Sequence, residues 1–198
     1  MKLYFVTSNQ DKVIEFNRIL SGKIEIEHLK PEVDIEELED QNIEKVVVDK
    51  IKKMVDIYKK PIIAEDTGFF IKSLDWFPGC LINRETKKYD SNYGYWCDLL
   101  IQKRFEDKSV QAKTAVAVCK PGEEPLVYVG IVDGTIPDKP RETDFGFGWD
   151  TIFIPNGYDK TFSELGPEIK DMISMRKKAL ENLLKDIENV KKYLSENN

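Results

Sequence analysis

The run Gly146-Phe147-Gly148-Trp149-Asp150 sets two aromatic side chains and a carboxylate among glycines. Glycine lets a backbone come close to a flat ligand or take φ > 0. Phe147 and Trp149 offer faces for stacking, and Asp150 is an acceptor fixed beside them. A planar ligand with a polar edge, such as a nucleobase, suits this set. The structural alternative is a tight turn holding two core aromatics.

Thr7-Ser8-Asn9-Gln10-Asp11-Lys12 stands between a short apolar run and an amphipathic helix. A helix N-terminus attracts phosphate because its free N–H groups point outward and its dipole is positive there. Thr7, Ser8, Asn9 and Lys12 add hydroxyls, an amide and an ammonium. The stretch has no glycine, so it is not a P-loop, and plain capping by Ser8 or Asp11 is the alternative. Glu65-Asp66 follows the apolar Ile62-Ile63-Ala64 and precedes Thr67-Gly68, which reads as a turn. A carboxylate at such a strand end suits a Mg²⁺ ligand or a general base. Mg²⁺ takes oxygen ligands and keeps several waters, so one or two carboxylates suffice beside phosphates. The acidic run 31–41 holds Glu32, Asp34, Glu36, Glu37, Glu39 and Asp40. Glu37 is the best candidate for a second ligand there, against a solvated surface. Lys170 and Arg176 lie close enough to serve one ligand, or with Lys177 and Lys178 they form a solvated cationic face.

These groups need elements to hold them. Leu3 to Val6 reads as a buried strand, and Val13, Phe16, Ile19 and Leu20 then mark one face of a helix ending at Ser21-Gly22. Residues 24–29 alternate as a strand. Ile43, Val47, Ile51 and Tyr58 recur at helical spacing, up to Lys59-Lys60-Pro61. Residues 62–64 and 69–71 read as two short strands, 76–79 as a turn, 93–105 as a helix, and 83–91 has no evident pattern. Residues 111–118 and 126–136, split by Pro121-Gly122-Glu123-Glu124-Pro125, read as an antiparallel hairpin. Residues 151–154 read as a last strand. Thr161-Phe162-Ser163-Glu164 matches a capping box, and Leu180 to Leu194 marks one C-terminal helix. Alternating strands and helices with a late hairpin predict an α/β fold with a mixed sheet.

The 198 residues fit one domain spanning 1–198. A net charge of −6 argues against a broad nucleic-acid or anionic-membrane surface. Cys80, Cys97 and Cys119 are odd in number and form no CxxC pair, which predicts reduced thiols in a cytoplasmic protein. Neither a signal peptide nor a transmembrane helix is expected. His28, the sole histidine, sits in a strand-like stretch and reads as structural.

The order of these motifs resembles the inosine triphosphate pyrophosphatase family, from Lys2 to about Leu184. Thr7 to Lys12 matches its Thr/Ser-x-Asn-x-x-Lys motif, Glu65 to Gly68 its Glu-Asp-Ser/Thr-Gly motif, and Gly146 to Asp150 its Gly-Phe-Gly-Tyr/Trp-Asp motif. Phe77-Pro78-Gly79 follows at the family's distance, as do motifs beginning at Phe153 and Thr161. Glu37-Leu38-Glu39 resembles a Glu-aliphatic-Gln motif with Glu39 for glutamine. Two places depart. The family's Glu-Lys-Asn-x-x-Ser-His-Arg reads Ile169-Lys170-Asp171-Met172-Ile173-Ser174-Met175-Arg176, and Cys80-Leu81-Ile82-Asn83-Arg84 stands where the family has Tyr-Ser or a nearby lysine.

The resemblance implies an elongated mixed sheet in two lobes around a nucleotide cleft, usually in a homodimer. It implies Mg²⁺-dependent hydrolysis of non-standard purine triphosphates (ITP, dITP, XTP) to the monophosphate and pyrophosphate. On that pattern Asp66 activates water and binds metal with Glu37, and Lys12 acts beside them. Thr7, Asn9 and Lys12 hold the phosphates, helped by Lys50 or Lys52, and Ser8 and Thr67 are further substrate-binding residues. Phe147, Gly148 and Trp149 frame the base, Asp150, Lys170, Ser174 and Arg176 fix its edge and the sugar, and Met175 lines the site where the family has its histidine. The changed motif at Met175 leaves open another base preference, pyrimidine or modified. A nucleotide-binding protein without turnover is the further alternative.

Overall fold

The computed structural model describes residues 2–20, 22–33 and 35–195. Ser21, read as part of a helix end, and Asp34, in the acidic run, lie outside the described residues. Strand β1 (Lys2–Val6) leads into helix α1 (Gln10–Leu20), and β2 (Glu25–Leu29) returns parallel to β1. Helix α2 (Ile43–Tyr58) starts under the Asn42 side chain, which accepts from the Glu44 and Lys45 amides. It ends at Lys59, which is left-handed at φ 51°. Then come β3 (Ile62–Ile71), β4 (Pro78–Gly79), α3 (Ile82–Lys87) and α4 (Gly94–Gln102). The hairpin of β5 (Ser109–Cys119) and β6 (Leu126–Thr135) follows, and a 3-10 turn over Gly148–Ile152 precedes β7 (Ile154–Pro155). Helices α5 (Phe162–Ile173), α6 (Met175–Lys185) and α7 (Ile187–Ser195) close the described chain.

Among the described residues the strands form one seven-stranded mixed sheet, ordered β2-β1-β3-β5-β6-β7, with β4 beside β3. The predicted mixed α/β class is the observed one. Helix α2 covers one face over Ile62, Ala64, Ala115 and Ala117. Helices α1, α6 and α7 cover the other over Ile63, Val116 and Val118. A third core, around Phe69, Trp96, Phe153 and Phe162, fills the far half of the molecule.

Three expectations are corrected. The segment from Ile62 to Ile71 is one ten-residue strand, buried throughout and paired with β5 along its length, so Glu65-Asp66 lies inside a strand and no turn follows. Gly68 is there for space: a Cβ would stand 2.5 Å from the Phe70 ring and 3.2 Å from the Cys80 amide nitrogen. Residues 148–152 form a 3-10 turn, which shortens the last strand to two residues. The C-terminal helix is two, broken at Asp186, where the Leu183 and Leu184 carbonyls accept from the Asp186 N–H. The patternless 83–91 carries most of α3, a helix too short to show a period.

Candidate active site

The strand's alternation decides the chemistry. Successive side chains on β3 point to opposite faces, so Glu65 faces α1 and α6 while Asp66 faces α2. Between these walls and α3 lies a cleft with a cavity of about 580 Å³ lined by Thr7, Lys12, Phe147, Asp150, Lys170 and Met175, among others. A second cavity of about 540 Å³ shares Ser8, Lys12, Glu37, Lys50 and Thr67 with it and reaches Asp66.

One end of the cleft is a closed ion network. Lys170 Nζ lies 2.6 Å from both Glu15 and Asp150. Arg176 grips Glu65 through two nitrogens at 2.8 Å each and also bonds Glu15. Lys12 reaches Glu65 at 3.2 Å. Three carboxylates thus face three cations, all but Lys12 buried. Burial raises Glu65, but Arg176 and then Lys12 more than offset it and hold the carboxyl at about 2. Glu15 is lowered in the same way, burial being outweighed by Arg176 and Lys170, and Asp150 is raised by its burial.

Above this network sits the aromatic loop. Gly146, at φ +98°, takes a conformation that favours glycine, and a Cβ there would stand 3.0 Å from that of Asp150. Asp150 Oδ2 accepts from the Phe147 amide at 2.9 Å, which holds the loop over Lys170. Lys170 Nζ lies 4.4 Å from the Phe147 ring centroid, a cation–π distance. Trp149 and Gly148 line the cavity, but the Trp149 ring packs inward, 5.0 Å from Phe69 and 5.8 Å from Phe153. Phe147 is therefore the more exposed face of the two. Across the cavity the Tyr93 hydroxyl donates to Asn83 Oδ1 at 2.8 Å.

The other end is built differently. Lys50 Nζ stands 2.6 Å from Glu37 and 3.7 Å from Asp66, so two carboxylates share one ammonium. Burial raises Asp66 to about 6, against Lys50 and Lys12, with Glu37 and Glu65 adding to the rise. Burial also raises Glu37, but Lys50, then Lys12 and Lys87, hold it below the usual value. Among the described residues Lys50 is the one ion-pair partner of both carboxylates, and their oxygens fit a hard divalent cation that keeps waters and takes phosphate oxygens. Among the described residues no group of three His, Cys, Asp or Glu is placed to hold an ion, so the protein's share would be these two carboxylates.

Several assignments change with the geometry. Lys50 lines the cleft; Lys52 pairs with Glu124 at 2.7 Å and does not. Two residues apart on a helix point about 200° apart, so one excludes the other. Ser174 is buried at the junction of α5 and α6, where its Oγ accepts from the Lys177 amide at 3.2 Å, and it lines neither cavity. Asn9, not Ser8 or Asp11, caps α1, accepting from the Asp11 and Lys12 amides at 2.9 and 3.2 Å, and it lines the cavity as well. Asp171 pairs with Arg18 on α1, outside the cavity lining. Lys170 belongs to α5 and Arg176 to α6. His28 meets the Thr7 carbonyl at 2.8 Å through Nε2. Glu15 and the structural use of Glu65 were missed. A signal existed for Glu15, which sits one residue from Phe16 on the buried side of α1 and three from Lys12, on its side of the helix.

Known proteins resemble this chain in sequence and in fold. Residues 3–186 match the Ham1 family. The chain is 34% identical to the dITP/XTP pyrophosphatase of Methanosarcina mazei, with 92% of this chain and 95% of that protein covered. It is 37% identical to the inosine triphosphate pyrophosphatase of Yarrowia lipolytica, covering 92% and 94%. Its fold is similar to the crystal structure of the nucleoside-triphosphatase (dITP/XTP pyrophosphatase) of Mycobacterium abscessus, at TM-score 0.73 and 30% identity over 93% of this chain and 99% of that one. A HAM1 protein from Coxiella burnetii superposes at TM-score 0.82 with 26% identity, covering 96% and 99%.

Proposed function

The chain belongs to the Ham1 family, and on that premise we propose that it hydrolyses non-standard purine nucleoside triphosphates such as ITP, dITP and XTP to the monophosphate and pyrophosphate. The observation that carries the reading is the pair Glu37 and Asp66, which share the Lys50 ammonium at one end of a cleft whose other end is a matched ion network. The aromatic loop at the matched end takes the base, and the triphosphate runs toward the Glu37–Asp66 end. Asp66 takes the proton of the water that attacks the α-phosphorus. Its carboxyl, raised to about 6, is ionised at neutral pH yet more basic than a free carboxylate, which is what a general base requires. Lys12 and Lys50 face the phosphates and offset the charge that gathers on the departing pyrophosphate. Thr7, Ser8 and Asn9 present donors at the start of α1. Mg²⁺, held by Glu37 and Asp66 when bound, supplies further neutralisation of phosphate charge.

A panel of nucleotides assayed for pyrophosphate against orthophosphate tests this. Pyrophosphate release from inosine triphosphate, abolished by chelation, is the expected result. Orthophosphate as first product, or a rate indifferent to chelator, overturns it. Any turnover excludes a protein that only binds nucleotide.

A second reading, altered base preference in the same reaction, is favoured by Met175. It lines the cavity yet packs in the apolar core with Phe69 and Trp149, and its thioether donates no hydrogen bond. The homodimer and the cytoplasmic setting complete the proposal. The three free cysteines suit a reducing compartment, and among the described residues no helix is long and apolar enough to cross a membrane. Light scattering at defined concentration checks the dimer.

A further inference from the structure

The cations that line the cleft differ in what they already hold. Lys12 is bound to Glu65, Lys50 to Glu37 and Asp66, Lys170 to Glu15 and Asp150, and Arg176 to Glu15 and Glu65. Arg84, at the outer wall, is held by Glu39 and Glu85. Lys87 stands apart. It is exposed at the end of α3, lines both cavities, and among the described residues has neither an ion pair nor a side-chain hydrogen bond. Its charge is nevertheless felt at Glu37, across the cleft. Its neighbour Lys88 makes the contrast, since it pairs with Glu85 and lines neither cavity.

We propose that Lys87 holds the terminal phosphates of the substrate and the pyrophosphate that leaves with them. The inference rests on the pyrophosphohydrolase reading and names a binding residue within it. Position supports it: Lys87 is on the wall opposite α2, beside the carboxylate end, where the triphosphate tail arrives. Charge supports it too. For Lys12 or Lys50 to bind phosphate, each must loosen a carboxylate it now holds. Lys87 gives up only water. The segment after Pro78-Gly79 carries Asn83 toward the cleft, and Lys87 lies one helical turn beyond it, so the two line the same wall with an amide and an ammonium. The competing structural role is a cation at a helix C-terminus, favourable to the dipole, which would affect stability and not phosphate.

The test is calorimetric titration of the full chain, in magnesium buffer, with inorganic tripolyphosphate and separately with inosine monophosphate. Lys87→Gln is expected to weaken tripolyphosphate about 10- to 100-fold, the loss of one charge-assisted hydrogen bond, and to leave the monophosphate unchanged. Lys88→Gln, which alters net charge equally, is expected to change neither, and Lys87→Arg to restore most of the affinity. Equal losses in Lys87→Gln and Lys88→Gln would reduce the effect to overall charge and overturn the proposal. So would equal losses for both ligands, an unchanged affinity, or a wild-type protein that does not bind tripolyphosphate. None of these measurements needs turnover. A Lys87-dependent affinity in a protein that releases no pyrophosphate from any nucleotide would defeat the reaction assigned above and leave this contact standing.

Discussion

At one end of the cleft Glu65 is gripped by two Arg176 nitrogens and approached by Lys12; at the other, one residue along the same strand, Asp66 has Lys50 at 3.7 Å. Both carboxylates are buried, and burial pushes both upward. One is nevertheless held at about 2 and the other left at about 6. The difference lies in the partners. Three carboxylates and three cations close the network around Glu65, whereas two carboxylates divide Lys50 between them. A matched buried network holds shape, and an unmatched pair is left with an affinity for protons and cations. The first end is expected to respond to mutation through stability and the second through rate.

The sharpest break is at Asp66. Asp66→Asn keeps the shape and removes the base, so kcat is expected to fall about 10²–10⁴-fold while the melting temperature holds or rises. A folded variant with a near-normal rate would remove Asp66 from the chemistry. Arg176→Met asks the same question of the other end. It strands Glu15 and Glu65 without their guanidinium, and unfolding in urea is expected to show a loss of about 3–5 kcal/mol. Unchanged stability would mean that the network is not the structural half of the cleft. Lys12 touches both ends, binding Glu65 and lining the phosphate side. Lys12→Ala is expected to weaken a triphosphate by about 1.5–3 kcal/mol and its nucleoside far less; equal losses would contradict the placement. Met175→His adds a donor to the cavity wall. The ratio of kcat/KM for inosine over adenosine triphosphate is expected to rise by an amount worth about 0.5–1.5 kcal/mol, and a fixed ratio in an active variant would show that position 175 does not read the base. Lys52→Ala, which breaks an exposed pair with Glu124, is the smallest: stability should move by less than about 1 kcal/mol and turnover not at all. A large rate loss there would return Lys52 to the cleft.

Much of this was legible in the chain. Periodicity revealed α1 and α2, the Val- and Ala-rich runs revealed the β5–β6 hairpin, and Thr161 with Glu164 forms the capping box that its spacing predicts. What was not legible depended on neighbours distant in sequence. Thr67-Gly68 looks like a turn locally, but pairing with β5 makes it strand, and Phe70 and Cys80 leave no room for a Cβ at Gly68. Lys50 and Lys52 are equivalent as letters and separate only once α2 is laid on the sheet. Ser174 reads as a ligand contact within a motif and is a helix cap because α5 ends where α6 begins. Glu15 belongs to no motif; its place beside Phe16 and Lys12 marks the face it occupies, and the burial of Lys170 and Arg176 beside it explains why an acid stands there.

The unbroken course of β3 also bears on how such a protein can change over generations. A substitution at the cleft alters one side chain and leaves the register of the strand as it was. Loss or gain of a single residue between Ile62 and Glu65 would be another matter: everything beyond it exchanges faces. The base would be delivered to Arg176 and the structural carboxylate to Lys50, while Phe69 and Ile71, wholly buried now, would turn the opposite way. The tip of the β5–β6 hairpin, outside this register, carries no such constraint, whereas the spacing from Ile62 to Ile71 sets which carboxylate meets Arg176 and which meets Lys50.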